Sequence, residues 1–191
     1  DEMLDLATLG AKVLHNRSVE MAKKYDVPLI VRSSLKSVEG TTVKEEVKVE
    51  KMLISGVTAD KNTARISVLG VKDKPGVEFR IFNLLAKNNI NIDTILQSVS
   101  EDGRKDISFT IAQDAMRETL EVLNEAKDSI NVRKIEYEEN VAKVSIVGAG
   151  MISNPGVAAK MFEALYDEGI SIKMISTSEI RVTVLVEEKD A

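Results

Sequence analysis

Val71-Lys-Asp-Lys-Pro-Gly-Val77 is answered eighty positions later by Met151-Ile-Ser-Asn-Pro-Gly-Val157. Each stretch follows a short β-like run and opens an amphipathic helix. Each therefore sets a helix N-terminus, with its unpaired backbone N–H groups, at the tip of a strand-to-helix turn, a place to hold an anion. At the same offset Ile66 matches Ile146, Gly70 matches Gly150, Ile81 matches Met161, Leu85 matches Leu165, Ile90 matches Ile170 and Ile92 matches Ile172. A repeat of this size is one supersecondary unit used twice.

Working outward, the pattern predicts strands Met52–Val57 and Arg65–Val71, helix Pro75–Lys87, strand Ile92–Val99, a turn at Glu101-Asp-Gly103, strand Asp106–Ile111, helix Asp114–Lys127 and strand Val132–Tyr137. Val77, Ile81, Leu84 and Leu85 form one helical stripe; Met116, Leu120, Leu123 and Ala126 form another. Two helices on one face of an antiparallel sheet, in the order βαββαβ, make a ferredoxin-like α+β sandwich. The second copy predicts strand Ala142–Val147, helix Pro155–Glu168, and strands Ser171–Ser176 and Ile180–Val186. It lacks a last helix and strand, while Met52–Val57 is surplus. Either that strand completes the second sheet or the chain is a truncated piece; the helix-start composition of Glu187-Glu-Lys-Asp-Ala191 favours truncation.

The first 36 residues predict two helices, one carrying Leu4, Leu6, Ala7, Ala11 and Leu14 and one over Arg17–Lys24, then a short strand within Leu29–Ser34. A lone strand needs neighbours, so this reads as the end of a domain whose larger part is absent. Residues 37–51 are polar and charged and read as a linker, with the alternation Val43, Val47, Val49 leaving an edge strand open. The expected division is 1–36 remnant, 37–51 linker, 52–139 first repeat module and 140–191 second module, incomplete at its C-terminus.

Composition excludes several function classes. The 191 residues are 43% hydrophobic, and 26 basic and 31 acidic side chains give a net charge of −5. That balance argues against nucleic acid or an anionic membrane surface, which need clustered Lys and Arg. Four Phe, three Tyr and no Trp make no base-stacking platform. The absence of Cys removes disulfides and thiolate metal sites, and a single His15 makes a histidine-based metal or catalytic centre improbable. No apolar run reaches the about 18 residues that span a bilayer, and Asp1-Glu-Met is not a leader pattern. A cytoplasmic location is expected.

Leu4-Asp-Leu-Ala-Thr-Leu-Gly-Ala-Lys-Val-Leu14, Val31-Arg-Ser-Ser34, Ser67-Val-Leu-Gly70 with Asp73-Lys-Pro-Gly76, Asn91-Ile-Asp93, Leu96-Gln-Ser98, Val144-Ser-Ile-Val-Gly-Ala-Gly150 and Ile175-Ser-Thr-Ser-Glu-Ile-Arg181 resemble an aspartokinase. The match is to the end of its α/β kinase domain followed by its two ACT regulatory modules, so tandem ferredoxin-like ACT domains are expected. The family phosphorylates the β-carboxylate of aspartate with ATP, and in many members lysine and threonine bind between ACT modules and switch the kinase off. The resemblance thus implies part of an enzyme, a homodimer through ACT pairing and a kinase catalytic domain as partner. The Lys-Phe-Gly-Gly motif and the nucleotide and aspartate contacts of the family are not in this sequence. No catalytic residue, metal site or cofactor is expected here, ATP and Mg belonging to the complete kinase. His15-Asn16-Arg17 departs from the family's common His-Pro-Arg.

A free amino acid is a zwitterion whose carboxylate wants backbone donors and whose ammonium wants oxygen acceptors. The helix start at Gly76-Val77-Glu78 offers donors, Asp73 an acceptor, and Gln97 on the next strand can read a side-chain hydroxyl. By resemblance, Asp73, Lys74, Gly76, Val77, Glu78 and Gln97 form the threonine-type effector site, completed by Ser171 and Ile172 of the opposing module. Ser171 stands where the family often has Asn. The lysine-type site is Ser153, Asn154, Gly156, Val157 and Ala158 facing Asp93, with Ser176, Thr177 and Ser178 nearby. Lys173 matches Asp93 in the repeat, a charge reversal that makes the two sites chemically unequal.

Blander readings stand beside these. Asp73 and Asn154 are good helix caps, Gln97 a common solvated strand residue, and Gly148-Ala-Gly150 too short for a nucleotide loop. Glu45-Glu46 and Glu138-Glu139 read as solvated surface, and Met151, Met161 and Met174 as core or interface filler. An enzyme acting alone is a poor fit. The competing alternative is a structural or dimerisation subunit that binds no ligand.

Overall fold

The computed structural model describes residues 1–45, 53–99 and 102–191. The chain forms two compact units, the first from residues 1–60 and 143–186, the second from 61–142 and 187–191.

The first unit begins with helices α1 (Glu2–Thr8) and α2 (Asn16–Lys24) and a small antiparallel pair of strands, β1 (Leu29–Val31) and β2 (Thr41–Val43). Leu29 faces Val43 and Val31 faces Thr41. The strand within Leu29–Ser34 thus has a partner, and Thr41–Val43 follows the edge-strand alternative at Val43 in place of the linker reading. Thr-Thr-Val is a β-favouring triplet, and pairing with β1 satisfies its backbone. Val47, Val49, Glu46 and Met52 lie outside the described residues.

Strand β3 runs unbroken over Gly56–Lys72, where two strands separated by a polar loop were expected. Its alternation is clear in the second unit, where Ala64, Ile66 and Val68 are wholly buried and Arg65 points to the other side. The polar stretch Thr58–Thr63 continues as strand with two of its polar side chains partnered: Asp60 pairs with Lys143 at 3.5 Å and the Asn62 amide oxygen accepts from the Gln113 N–H. Strand β6 (Lys134–Val147) likewise replaces two predicted strands.

In the second unit the rest follows as α3 (Val77–Lys87), β4 (Ile95–Val99), β5 (Arg104–Ile111), α4 (Met116–Glu125) and the one-turn α5 (Lys127–Ile130). The expected strand from Ile92 starts three residues later, and the expected helix Asp114–Lys127 is split into a 3-10 turn, α4 and α5. The strand order is β4-β5-β3-β6, the ferredoxin-like arrangement, with β5 antiparallel to both β3 and β4. Val77, Ile81 and Leu85 of α3 pack on Ile66, Ile107 and Phe109 in one apolar core.

In the first unit, the Lys143–Val147 part of β6 leads through a 3-10 turn, Ala149–Ser153, into α6 (Val157–Asp167), β7 (Met174–Thr177) and β8 (Arg181–Glu187). The sheet order is β3-β6-β8-β7, with Gly56–Asp60 supplying the β3 segment. Residues expected as a surplus strand thus include the start of β3, while Leu53–Ser55 lie before it. Ile146, Val157 and Val182 form the buried centre under α6. Among the described residues no helix is long and apolar enough to cross a membrane.

Candidate functional site

Both repeated turns open their helices on a glycine in the left-handed region, Gly76 at φ +87° and Gly156 at φ +93°. A Cβ at either would meet nothing within 4 Å, so backbone angle alone selects glycine and the space above each helix start is open. The Val77 N–H donates to the Lys74 carbonyl at 3.2 Å and the Arg80 N–H to the Gly76 carbonyl at 3.1 Å; the Lys160 N–H does the same to Gly156 at 3.1 Å. Neither helix has a side-chain cap. The capping reading of Asp73 and Asn154 is therefore not what these side chains do.

Asp73 instead faces a residue that sequence reasoning missed. The Lys105 ammonium on β5 lies 2.8 Å from Asp73 Oδ1 and 2.7 Å from Glu78 Oε1, with only 15% of its side chain exposed. Lys105 pairs in register with Val71 on one side and Val99 on the other, so the sheet aims it at the turn leaving β3. The signal was present as the period-two run Lys105, Ile107, Phe109, Ile111, whose last three members are buried on the helix-facing side. It was lost by starting that strand at Asp106. Gln97 sits opposite Ile107 in the β4-β5 register, on the same side of the sheet as Lys105, and helps to lower the Glu78 carboxyl. Asp73, Glu78, Gln97 and Lys105 thus form one cluster at the start of α3.

The hydrogen bond from Lys105 holds the Glu78 carboxyl below the usual glutamate range, helped by the Glu78 backbone N–H and by Gln97 and opposed by partial burial. Asp73 first, then Glu78, holds the Lys105 ammonium above the usual lysine value. A carboxyl depressed in the folded state contributes stability that is complete above its unfolded value and lost as pH falls through the folded one. Glu78 is therefore expected to titrate below the ordinary glutamate value, and Lys105→Gln to move its midpoint upward. Carbon-13 titration of the Glu78 carboxyl measures both, and an unmoved midpoint would contradict the pairing.

At the second helix start, the Asn154 side-chain amide donates to the Gly150 carbonyl at 2.7 Å and closes the 3-10 turn. The turn is anchored at its beginning as well: the Ala149 N–H donates to the Glu2 carboxylate, which also accepts from the Ser55 hydroxyl at 2.7 Å. Val157 is buried, Ala158 packs on the same small core, and the Ser153 side chain lies outside the described residues. Ser176 and Thr177 are on β7, opposite Thr183 and Val182, and the Ser178 N–H closes the β7-β8 turn on Arg181 at 2.8 Å. Ser171 and Ile172 lie between α6 and β7.

Of the expected threonine-type set, Asp73, Lys74, Gly76, Val77, Glu78 and Gln97 belong to the second unit, Ser171 and Ile172 to the first. Of the lysine-type set, Asp93 alone is in the second unit. Its N–H donates to the Thr110 carbonyl at 3.0 Å, fixing an exposed side chain at the head of β4. A concavity of about 300 Å³ lined by Arg65, Ser67 and Ile135–Glu138 contains none of these residues. The Arg65–Glu138 ion pair, 2.9 Å long, runs across it. Among the described residues no group of three His, Asp or Glu side chains is placed to hold a metal ion.

The ACT-domain family model matches residues 66–126 and 144–191. The aspartokinase of Bacillus sp. strain MGA3 is 50% identical over 189 residues, 98% of this chain and 46% of that protein. The chain thus spans about half the length of the curated relatives it matches. The ligand-free regulatory subunit of aspartate kinase from Thermus thermophilus is 37% identical with a TM-score of 0.68, over 72% of this chain and 91% of that one. The structure of E. coli aspartokinase III in complex with lysine and aspartate, in its T-state, is 26% identical with a TM-score of 0.73, over all of this chain and 42% of that one. With both helix starts inside the matched segments, the chain belongs to the aspartokinase family and corresponds to its regulatory ACT-domain region.

Proposed function

We propose that this chain is the regulatory segment of an ATP-dependent aspartate kinase and binds end-product amino acids, L-lysine, L-threonine or both, at its two glycine-opened helix starts. The observation that carries this reading is the cluster at α3, where an open left-handed turn brings helix N–H donors beside Asp73, Glu78 and Gln97. A ligand carboxylate meets the helix N-terminus, its ammonium meets the acids, and Gln97 reads a side-chain hydroxyl. In the proposed assembly a homodimer formed through ACT modules supplies Ser171 and Ile172 to this ligand, and Asp93 to the one at Asn154-Gly156-Val157-Ala158. Binding that favours one state of the assembly lowers kinase activity by the difference in affinity between states. The lysine complex of E. coli aspartokinase III supports lysine as one candidate.

Calorimetry with L-lysine, L-threonine and other amino acids tests the reading. Asp73→Ala is expected to weaken threonine-type binding by about tenfold or more, the scale of a lost hydrogen bond to a charged group. The fold should survive, since the Asp73 side chain is 46% exposed. Unchanged affinity in a folded variant refutes the assignment. A second reading, a dimerisation subunit without ligand, is favoured by the edge strand β4, where Ile95, Leu96 and Val99 are exposed. Saturating amino acids that give no heat and no shift in melting temperature, with a dimer seen by sedimentation, would favour it over the effector reading.

A further inference from the structure

The acceptors proposed for a ligand's ammonium already hold an ammonium. Lys105 Nζ contacts Asp73 at 2.8 Å and Glu78 at 2.7 Å, and its stem lies largely covered beside the α3 start. Arg104, one residue earlier, is engaged elsewhere: it donates to the Gly70 carbonyl at 2.7 Å and faces Asp102 at 3.8 Å. We propose that the Lys105 ammonium is an internal counter-ion occupying the ligand's ammonium position, so that an amino acid binds at α3 by ion exchange, displacing Lys105 from Asp73 and Glu78. This rests on the effector reading above and adds what sets the affinity of that site.

The chemistry supports exchange over simple addition. A lysine ammonium and an α-ammonium carry the same charge and the same three donors, and two of them on one pair of carboxylates repel. Lys105 stands on a flexible four-carbon stem and can swing into solvent, keeping its charge hydrated, while the incoming ammonium takes its hydrogen bonds. The ligand brings its own carboxylate to the helix N–H groups, which Lys105 cannot satisfy. Exchange is therefore favourable only for a molecule carrying both charges, which restricts the site to free amino acids over simple amines.

The test is isothermal calorimetry of the full chain with L-threonine, on wild type, Lys105→Gln, Lys105→Arg, Asp73→Asn and Lys105→Gln in the Asp73→Asn background, each checked by circular dichroism. Removing the competitor is expected to tighten binding by about two- to fivefold, the range of a partly exposed ion pair. Arg should leave affinity near wild type by preserving the charge, and the Asp73→Asn background should abolish the gain. Tighter binding is a result that structural damage does not produce. If wild type binds and Lys105→Gln binds equally or more weakly, Lys105 attracts the ligand carboxylate and ion exchange is wrong while the effector reading stands. Should no variant bind L-threonine, both fall at this site.

Discussion

Phe109→Ala is expected to lower the stability of the second unit by about 4 kcal/mol, within the range for emptying a buried aromatic position. Phe109 is wholly buried and lies edge-on to Phe82, with centroids 5.9 Å apart and planes at 71°. It sits on β5 between Ile66 of β3 and Ile95 of β4, under Ile81 and Leu85. The loss combines the transfer term of a large apolar side chain, a cavity roofed by α3 that rigid neighbours cannot fill, and an edge-to-face contact of about 0.5–1.5 kcal/mol. Amide exchange in β3 and β5 should accelerate by about a thousandfold where those amides open with the unit. Phe79→Ala supplies the control. Phe79 is on α3 but 69% exposed, so its loss should stay within about 0.5 kcal/mol. A Phe109→Ala loss under about 1 kcal/mol would mean the core is not centred there.

Gly148→Ala is expected to destabilise the first unit by about 2–3 kcal/mol through overpacking. Its φ of 179° is ordinary extended backbone, so conformational strain plays no part. A methyl group would instead lie 2.3 Å from the Leu53 carbonyl oxygen and 2.8 Å from the Ile54 Cα. Those are backbone atoms that no rotamer change can move. The segment they belong to is held in place, since the Ser55 N–H donates to the Val147 carbonyl at 2.7 Å and Gly148 donates to Ile180 at 2.9 Å. Relief requires residues 53–55 to separate from the end of β6, which pulls the Ser55 hydroxyl and the Ala149 N–H away from the Glu2 carboxylate they share. The 3-10 turn that sets Asn154 and Gly156 would then lose its anchor. Urea unfolding should show a lower midpoint, and calorimetry with L-lysine a weaker second site. An unchanged midpoint would show that the 53–55 segment yields freely.

The two predictions divide along what could be read locally. The burial of Phe109, Ile81 and Leu85 follows from strand and helix periods written in neighbouring residues, and the repeat of Pro-Gly turns followed by such helices was enough to name a doubled ferredoxin-like module. These patterns survive because a core face needs only the right spacing, whichever partner covers it. The closeness of Gly148 to Leu53 has no such pattern, because those residues lie far apart in sequence.

The same distinction runs through the candidate site. Asp73, Gly76, Glu78 and Gln97 were recognisable as a helix start with acids and an amide on the adjoining strand. That Asp73 pairs with Lys105 instead of capping α3 was settled by the β3-β5 register, which no local propensity encodes. The unbroken course of β3 through Thr58–Thr63 and the pairing of β2 with β1 have the same origin: neighbouring strands satisfied backbone groups that local composition would have left to solvent. Thus the sequence by itself determined the module, its duplication and the chemistry offered at each helix start, because these rest on side-chain periodicity and turn geometry. The tertiary structure alone decided which charges meet, since a partner for a charged or backbone group is chosen by register and close approach between distant segments.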